Sequence, residues 1–234
     1  MSETNPEADT LIDHLFAQFR EAIQTKDCVK ALGFIQQIFA QADAERHFHR
    51  AYEDLGFIYI IQHRYEEALV AFQRSTTLYP TCLHTWYRLA DVYIHLQRWA
   101  EAVAAYQHAL LFYKLGMVNP QTREQIAPTL AIHIEVGTTD IHEVLVECYY
   151  NLTCAYAHLQ RIADARQSFM FLVAIDYQAA RACAQDPDTA ALQTDPEFRV
   201  SLDAISAQGR DHILGHPPLD LLTRPLDPEP LGRV

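Results

Sequence analysis

A repeat of 34 residues is the feature that most limits the folds open to this chain. Aromatic, leucine and small residues recur at this spacing in two segments, 49–82 and 83–116. A period of this length is typical of folds built from one repeated supersecondary unit, in which each unit buries its apolar face on the next. The matching positions are Tyr52, Leu55, Gly56, Tyr59, Ala68, Phe72 and Ser75 in the first copy, and Trp86, Leu89, Ala90, Tyr93, Ala102, Tyr106 and Ala109 in the second.

A third copy of the pattern comes later than this period predicts. It starts 63 residues after the second copy instead of 34, so 29 additional residues lie between them. We therefore expect repeats one and two over 49–116, an insertion at 117–141 and repeat three at 142–179. The residues of the third copy are Tyr149, Leu152, Thr153, Tyr156, Ala165 and Phe169.

Within each copy the spacing of the apolar residues is helical. Steps of three, four and seven residues place Tyr52, Leu55 and Tyr59 on one face of a helix. Gly56 and Ala68 are small, so the first helix of the copy can approach the second closely. Each copy is therefore predicted to be a pair of helices.

This pattern resembles the W-xx-L-G-xx-Y…A-xxx-F motif of the tetratricopeptide-repeat (TPR) family. The resemblance implies an all-α fold, a right-handed superhelix of stacked antiparallel helix pairs known as a TPR solenoid. It also implies binding of another protein or a peptide instead of catalysis. The segment ACAQDPDTAALQTDPEF resembles the closing segment of bacterial TPR arrays, which covers the exposed face of the last repeat.

Helical segments are also expected on both sides of the repeats. Residues 8–45 read as a helical pair, a degenerate repeat or an N-terminal cap, with Asp27 as the N-cap of its second helix. Residues 180–208 read as C-terminal capping helices. There Asp186 and Asp195 each precede a proline, which is typical of a helix start.

The last segment, 209–234, contains five prolines and is expected to be extended and mobile. Its leucines are more numerous than a plain linker needs. Three readings stay open: a disordered appendage, a linear motif, or a segment that docks in the groove of its own or a neighbouring chain.

Charge and composition favour some partners and compartments over others. The chain has 18 basic and 30 acidic residues, a net charge of −12 that repels nucleic acid and anionic lipid. It shows neither an apolar run of about 20 residues nor a secretory signal at its start. Its five cysteines form no CxxC pair. We expect a cytoplasmic protein with free thiols, without nucleic acid or membrane as a partner.

No motif of an enzyme or of a cofactor site is evident. The sequence has no glycine-rich phosphate loop, HExxH or GxSxG. The twelve histidines are scattered, and His47 and His49 would point about 200° apart on a helix, a poor geometry for chelation. We therefore expect no catalytic residues, no metal and no cofactor.

The TPR resemblance places a partner-binding groove on the first helix of each repeat. Acidic residues at Glu53 and Glu147 disfavour the clamp for a terminal carboxylate that some TPR proteins carry. The alternative is that neighbouring helices cover these positions. The implied groove residues are Arg50, Glu53, Phe57, Ile60 and Ile61 in repeat one, His84, Tyr87, Asp91, Ile94 and His95 in repeat two, and Glu147, Tyr150, Cys154, Ala157 and His158 in repeat three.

The insertion at 117–141 has a pattern of its own. Its apolar residues alternate with a strand-like period of two, and a loop this long inside a compact array is uncommon. We expect either a lid over the groove or a structural flap on the helix surface. The alternating residues are Leu130, Ile132, Ile134 and Val136.

The leading hypothesis is a non-catalytic adaptor or scaffold that takes an extended or helical partner segment in the groove. Burial of Phe57, Tyr87 and Tyr150 would supply the affinity. One alternative is a chaperone for a secreted or assembly-prone client. Another is an enzyme with a His/Cys or metal site in the groove. The oligomeric state stays open.

Overall fold

The helices of the protein follow the predicted pairs. The computed structural model describes residues 6–41, 45, 47–116, 141–200 and 202, and over these residues it contains no β-strand. The predicted all-α fold class is confirmed. The helices are α1 (Pro6–Gln24), α2 (Cys28–Phe39), α3 (Phe48–Ile61), α4 (Tyr65–Leu78), α5 (Leu83–His95), α6 (Trp99–Gly116), α7 (Ile141–His158), α8 (Ile162–Ile175), α9 (Tyr177–Gln185) and a 3₁₀ helix (Pro187–Thr194).

The chain divides into two compact units, residues 1–97 and 98–234. The boundary falls inside the predicted repeat two, between α5 and α6. In the first unit α1 pairs with α2 and α3 pairs with α4, while α2 also packs on α3 and α4 on α5. The predicted helical pair before repeat one, α1 and α2, therefore packs on α3. The shared core of these three helices includes Ile12, Phe16, Ile35, Ile38 and Ile58.

Four turns between helices share one backbone device. In each, a residue other than glycine adopts a positive φ of 56° to 59°. This left-handed conformation ends a helix because it redirects the chain and lets the last carbonyls accept hydrogen bonds. Arg64 N–H reaches back to the carbonyl of Tyr59 at 2.8 Å, and Arg161 N–H does the same to Tyr156 at 2.9 Å. The four residues are Lys26, His63, Gln97 and Gln160.

The residue after each of these turns opens the next helix. Arg64 pairs with Glu67 at 2.8 Å, and its guanidinium lies 4.5 Å from the centre of the Tyr59 ring. Arg98 and Arg161 make the same type of ion pair, three residues along their helices. After the turn at Lys26, the next helix opens on Asp27 instead of an arginine. The Asp27 side chain accepts from the backbone N–H of Lys30 at 3.0 Å. The predicted N-cap at Asp27 is confirmed.

Successive repeats are joined by the same two contacts within each unit. In the first unit Gln73 donates to the Tyr93 hydroxyl at 3.1 Å, and the Tyr65 ring stacks on His95 at 4.4 Å. In the second unit the counterparts recur at the sequence offsets of the repeats. Gln107 donates to the Tyr156 hydroxyl at 2.9 Å, and the Trp99 ring stacks on His158 at 3.9 Å with the planes 4° apart.

The second unit packs α6 directly on α7, although the insertion lies between them in sequence. Both helices have 18 residues, whereas α4 has 14 and α5 has 13. The additional length lies at the ends that face the insertion. Val144, in the additional turn of α7, is buried. The insertion therefore begins and ends on helical extensions of the repeats.

The C-terminal helices differ in detail from the expectation. The predicted boundary at 179/180 is wrong, because α9 spans Tyr177–Gln185 and is capped by Asp176, whose side chain accepts from Ala179 N–H at 2.9 Å. The predicted cap at Asp186 is confirmed, with Asp188 N–H at 2.8 Å. The helix that follows is 3₁₀ instead of α, over Pro187–Thr194. Residues 196–200 are helical, and the tail at 209–234 lies outside the described residues.

Close approach of the two helices of repeat one gives a stability test. A Cβ added at Gly56 would lie 2.7 to 2.9 Å from three ring atoms of the buried Phe72, whereas a Cβ at Gly33 in α2 would meet nothing within 4 Å. We expect Gly56→Ala to lower the free energy of unfolding by about 1–3 kcal/mol because the ring must shift. Gly33→Ala, the matched control, should raise it by roughly 0.5–1 kcal/mol through helix propensity. Urea denaturation of both variants measures this, and a Gly56→Ala protein as stable as wild type would contradict the packing.

Candidate functional site

In the first unit, α3 and α5 present neighbouring side chains on one surface, here named the α3–α5 face. Glu53 on α3 joins the two helices. Its Oε1 contacts His84 Nδ1, and its Oε2 accepts from the Thr85 hydroxyl at 3.3 Å. Most of the predicted groove residues of repeats one and two lie here, partly exposed. The face consists of Arg50, Glu53, Phe57, Ile60, His84, Arg88, Asp91 and Ile94.

Arg88 lies between the two helices of this face and was not among the predicted groove residues. Its guanidinium lies 4.9 Å from the centre of the Tyr87 ring and 6.0 Å from that of Phe57. Its Nη1 is 3.6 Å from Asp91 Oδ2, and its buried Nε makes no hydrogen bond. Aromatic rings therefore position this cation more than its carboxylate neighbour does.

Charged residues from α1 border the α3–α5 face. The guanidinium of Arg50 lies 4.0 Å from the centre of the Phe16 ring, and His47 Nε2 is 3.3 Å from Asp9 Oδ1. Burial raises the pKa of Asp54 to about 7, although the nearby positive charges of Arg50 and Arg20 lower it. This carboxyl therefore changes charge close to neutral pH.

Three predicted groove residues are not accessible. Tyr87 and Ala157 are each 1 % exposed, and Cys154 is 5 % exposed. The expectation that Tyr87 supplies exposed aromatic surface is wrong for this structure, because its ring belongs to the core of the first unit. Here the alternative of coverage by neighbouring residues holds.

In the second unit the predicted groove positions of α7 meet the chain's own C-terminal segment. Tyr150 Oη donates to Asp186 Oδ2 at 2.6 Å, and His158 Nε2 lies 3.0 Å from Asp188 Oδ1. Cys154 is hydrogen-bonded to Cys183, and this bond together with burial raises the pKa of the Cys154 thiol. Glu147 remains exposed. Most of this surface is therefore occupied within the molecule.

The described side chains can be examined for a metal site and for a reactive thiol. Over the described parts of the chain, no group of three or more His, Cys, Asp and Glu side chains is placed to hold a metal ion. Cys82 lies near Glu53 and Thr85. Burial and the charge of Glu53 raise the pKa of this thiol, which keeps it protonated and poorly nucleophilic. The third hypothesis, an enzyme with a His/Cys or metal site, gains no support here.

Comparison with known proteins identifies a repeat of known type. The sequence model of the tetratricopeptide repeat matches residues 59–114, from the middle of α3 into α6. This part of the chain therefore carries a tetratricopeptide repeat. Comparison with curated protein sequences gives no match.

Solved structures share the fold of this chain at low sequence identity. MamA is 15% identical with a TM-score of 0.52, covering 73% of this chain and 81% of MamA. A tetratricopeptide repeat protein from Parabacteroides merdae ATCC 43184 is 17% identical, with a TM-score of 0.53 and coverage of 82% and 61%. A putative kinesin light chain from Podosopora anserina, with nearly identical TPR-like repeats, is 13% identical, with a TM-score of 0.54 and coverage of 88% and 96%. At these identities the likeness concerns the fold alone.

The predicted lid over the groove stays a prediction. Its residues lie outside the described part of the chain: Leu130, Ile132, Ile134 and Val136. Among the described helices, none combines the length and the apolar character that a bilayer crossing requires.

The raised pKa of Asp54 gives a pH test. The folded protein holds this proton up to about pH 7, while the unfolded chain releases it near the ordinary pKa of 3.8. The stabilisation from the protonated form is therefore lost as pH rises from 3.8 to about 7. We expect Asp54→Asn to reduce the fall in the free energy of unfolding between about pH 5 and about pH 8. Urea denaturation across this range measures the slope.

Glu67→Gln is the control for this test. Hydrogen bonding to Arg64 lowers the pKa of the exposed Glu67, so its stabilising effect is lost only on acidification below its ordinary range. The control should therefore keep the wild-type slope. An Asp54→Asn protein that also keeps it would show that Asp54 is ionised throughout.

Proposed function

We propose that this protein is a non-catalytic adaptor or scaffold that holds a partner protein or peptide on the α3–α5 face. A cytoplasmic location is part of the proposal. The observation that carries it is a contrast between the repeats. Most groove positions of α3 and α5 stay partly exposed side by side, whereas Tyr150 and His158 of α7 contact the chain's own C-terminal segment.

The side chains of the α3–α5 face suit a peptide or helix with both apolar and polar groups. Phe57, Ile60 and Ile94 supply apolar surface, and Arg88 supplies a cation held over aromatic rings. Burial of one such aromatic side chain is worth about 1.5–3 kcal/mol, which is enough for one or two orders of magnitude in affinity. Phe57 is therefore the proposed anchor, in place of the buried Tyr87.

The chaperone alternative uses the same face. It differs in predicting one aggregation-prone client instead of a folded partner with an exposed segment. The contacts of the described residues favour neither, and the experiment below separates them through the identity of the captured protein.

Site-specific cross-linking tests the α3–α5 face. A photoreactive amino acid at Phe57 should form an adduct with one defined partner in cells, whereas the same group at Val70 should not, although Val70 on α4 is 59 % exposed. With that partner purified, Phe57→Glu should weaken binding by more than about tenfold because a charge replaces buried apolar surface. The control Val70→Glu should leave the dissociation constant unchanged.

Two results would contradict the proposal. Equal adducts from positions 57 and 70 would mean that the reactive group reports exposure instead of docking. Binding of the purified partner to Phe57→Glu with wild-type affinity would move the interface to another surface.

A further inference from the structure

The C-terminal segment is held on repeat three by three side chains that neither of the other repeats carries as a complete set. Tyr150 donates to Asp186, and His158 contacts Asp188. Arg166 on α8 pairs with Asp195 at 2.9 Å and also contacts Glu197. The counterparts of the three donors are Glu53, Ile61 and Leu69 in repeat one, and Tyr87, His95 and Val103 in repeat two.

This arrangement is complementary in charge and preorganised. Three side chains that can donate face an acidic stretch, which runs Asp-Pro-Asp and then Asp-Pro-Glu. The ring of His158 is fixed from behind by its stack on Trp99, so its Nε2 points at Asp188 before any ligand arrives. A cap that needed only apolar packing would not require these donors.

Apolar anchors complete the contact. Leu192 of the 3₁₀ helix is fully buried, and the ring of Phe198 packs edge-on against Phe169 at 4.8 Å. Buried apolar anchors surrounded by charge-assisted hydrogen bonds are how a peptide ligand is usually held.

The segment is open to solvent on its outer side. A cleft of about 320 Å³ lies between Gln193 of the segment and α8–α9. The side chain of Asp188 is 52 % exposed, so one of the polar contacts is open to competition from solvent. The cleft is lined by Phe169, Ala180, Arg181, Ala184, Gln185, Gln193 and Leu202.

We propose that this surface, named the α7 face and defined by Tyr150, Cys154, His158 and Arg166, is a second docking site, which the chain fills with its own segment 186–198. The outside ligand is an acidic peptide of a partner with the same chemistry: an Asp-Pro-Asp turn followed by buried apolar side chains. Because the inner segment is tethered, its effective concentration at the site is high. The apparent affinity for an outside ligand is the intrinsic affinity multiplied by the fraction of molecules in which the site is open. This inference rests on the proposed partner-binding function and assigns it a ligand class and a means of regulation.

A peptide titration on the full-length chain tests the α7 face. The probe is a fluorescent synthetic peptide of residues 185–200, QDPDTAALQTDPEFRV, and the readout is fluorescence anisotropy. We expect Asp186→Asn/Asp188→Asn, which loosens the inner segment, to bind the probe at least about tenfold more tightly than the wild type does, since each charge-assisted hydrogen bond is worth about that factor. A probe with the same two asparagines should bind neither protein, and adding Tyr150→Phe to the variant should weaken binding again.

A second variant guards against unfolding. Asp188→Asn alone removes one surface contact and should give a smaller gain in the same direction. Equal dissociation constants of the wild type and both variants for the probe would overturn the proposal and would leave the segment as a permanent cap. This holds whether or not hydrogen exchange in residues 186–194 becomes faster in the variants.

Phe57→Glu separates this proposal from the function proposed for the α3–α5 face. The substitution should leave the probe titration unchanged because Phe57 belongs to the other unit. If the probe binds while the cross-link at position 57 fails, the proposal for the α7 face is supported and the proposal for the α3–α5 face is contradicted.

Discussion

Every helix pair in this protein depends on a neighbour to cover its apolar face. A pair such as α3–α4 buries Phe72 against Gly56, yet the outer side of α4 stays apolar until α5 packs on it. Stacking solves this for each inner pair, and the same two contacts recur: a glutamine on a tyrosine hydroxyl, and an aromatic ring on a histidine. In the part of the chain that the structure describes, no further pair follows α7–α8. The C-terminal segment supplies that surface from the same chain, which is why Leu192 and Phe198 are buried.

The two candidate faces differ in their state. On α3 and α5, Phe57 and Arg88 keep some exposure. On α7, the covering segment reaches over the groove positions and brings its acidic residues to Tyr150 and His158. One stretch of chain therefore both caps the apolar core and occupies the proposed α7 face.

Much of the fold follows from periodicity, and less of the site does. The 34-residue offset from Tyr52 to Trp86 predicts helix pairs, because burial at fixed steps needs no knowledge of distant residues. The N-caps at Asp27 and Asp186 are local and were predictable for the same reason. The cap at Asp176 carries a similar local pattern, an acid directly before a helical run, and would have placed the start of α9 correctly.

The contacts of the site depend on packing between distant residues. Asp186 meets Tyr150 across 36 residues, and the stack of Trp99 on His158 spans the insertion. The burial of Tyr87 depends on its neighbours in three dimensions, since its repeat position alone predicts exposure. Arg88 is placed by the rings of Phe57 and Tyr87, a relation between two helices that spacing along one helix does not reveal.

The helical extensions at the ends of α6 and α7 have a consequence for any sequence that joins them. Because α6 packs directly on α7, the contact between these helices holds the two helix ends in place. An inserted sequence of any length therefore has to begin at the end of α6 and return to the start of α7.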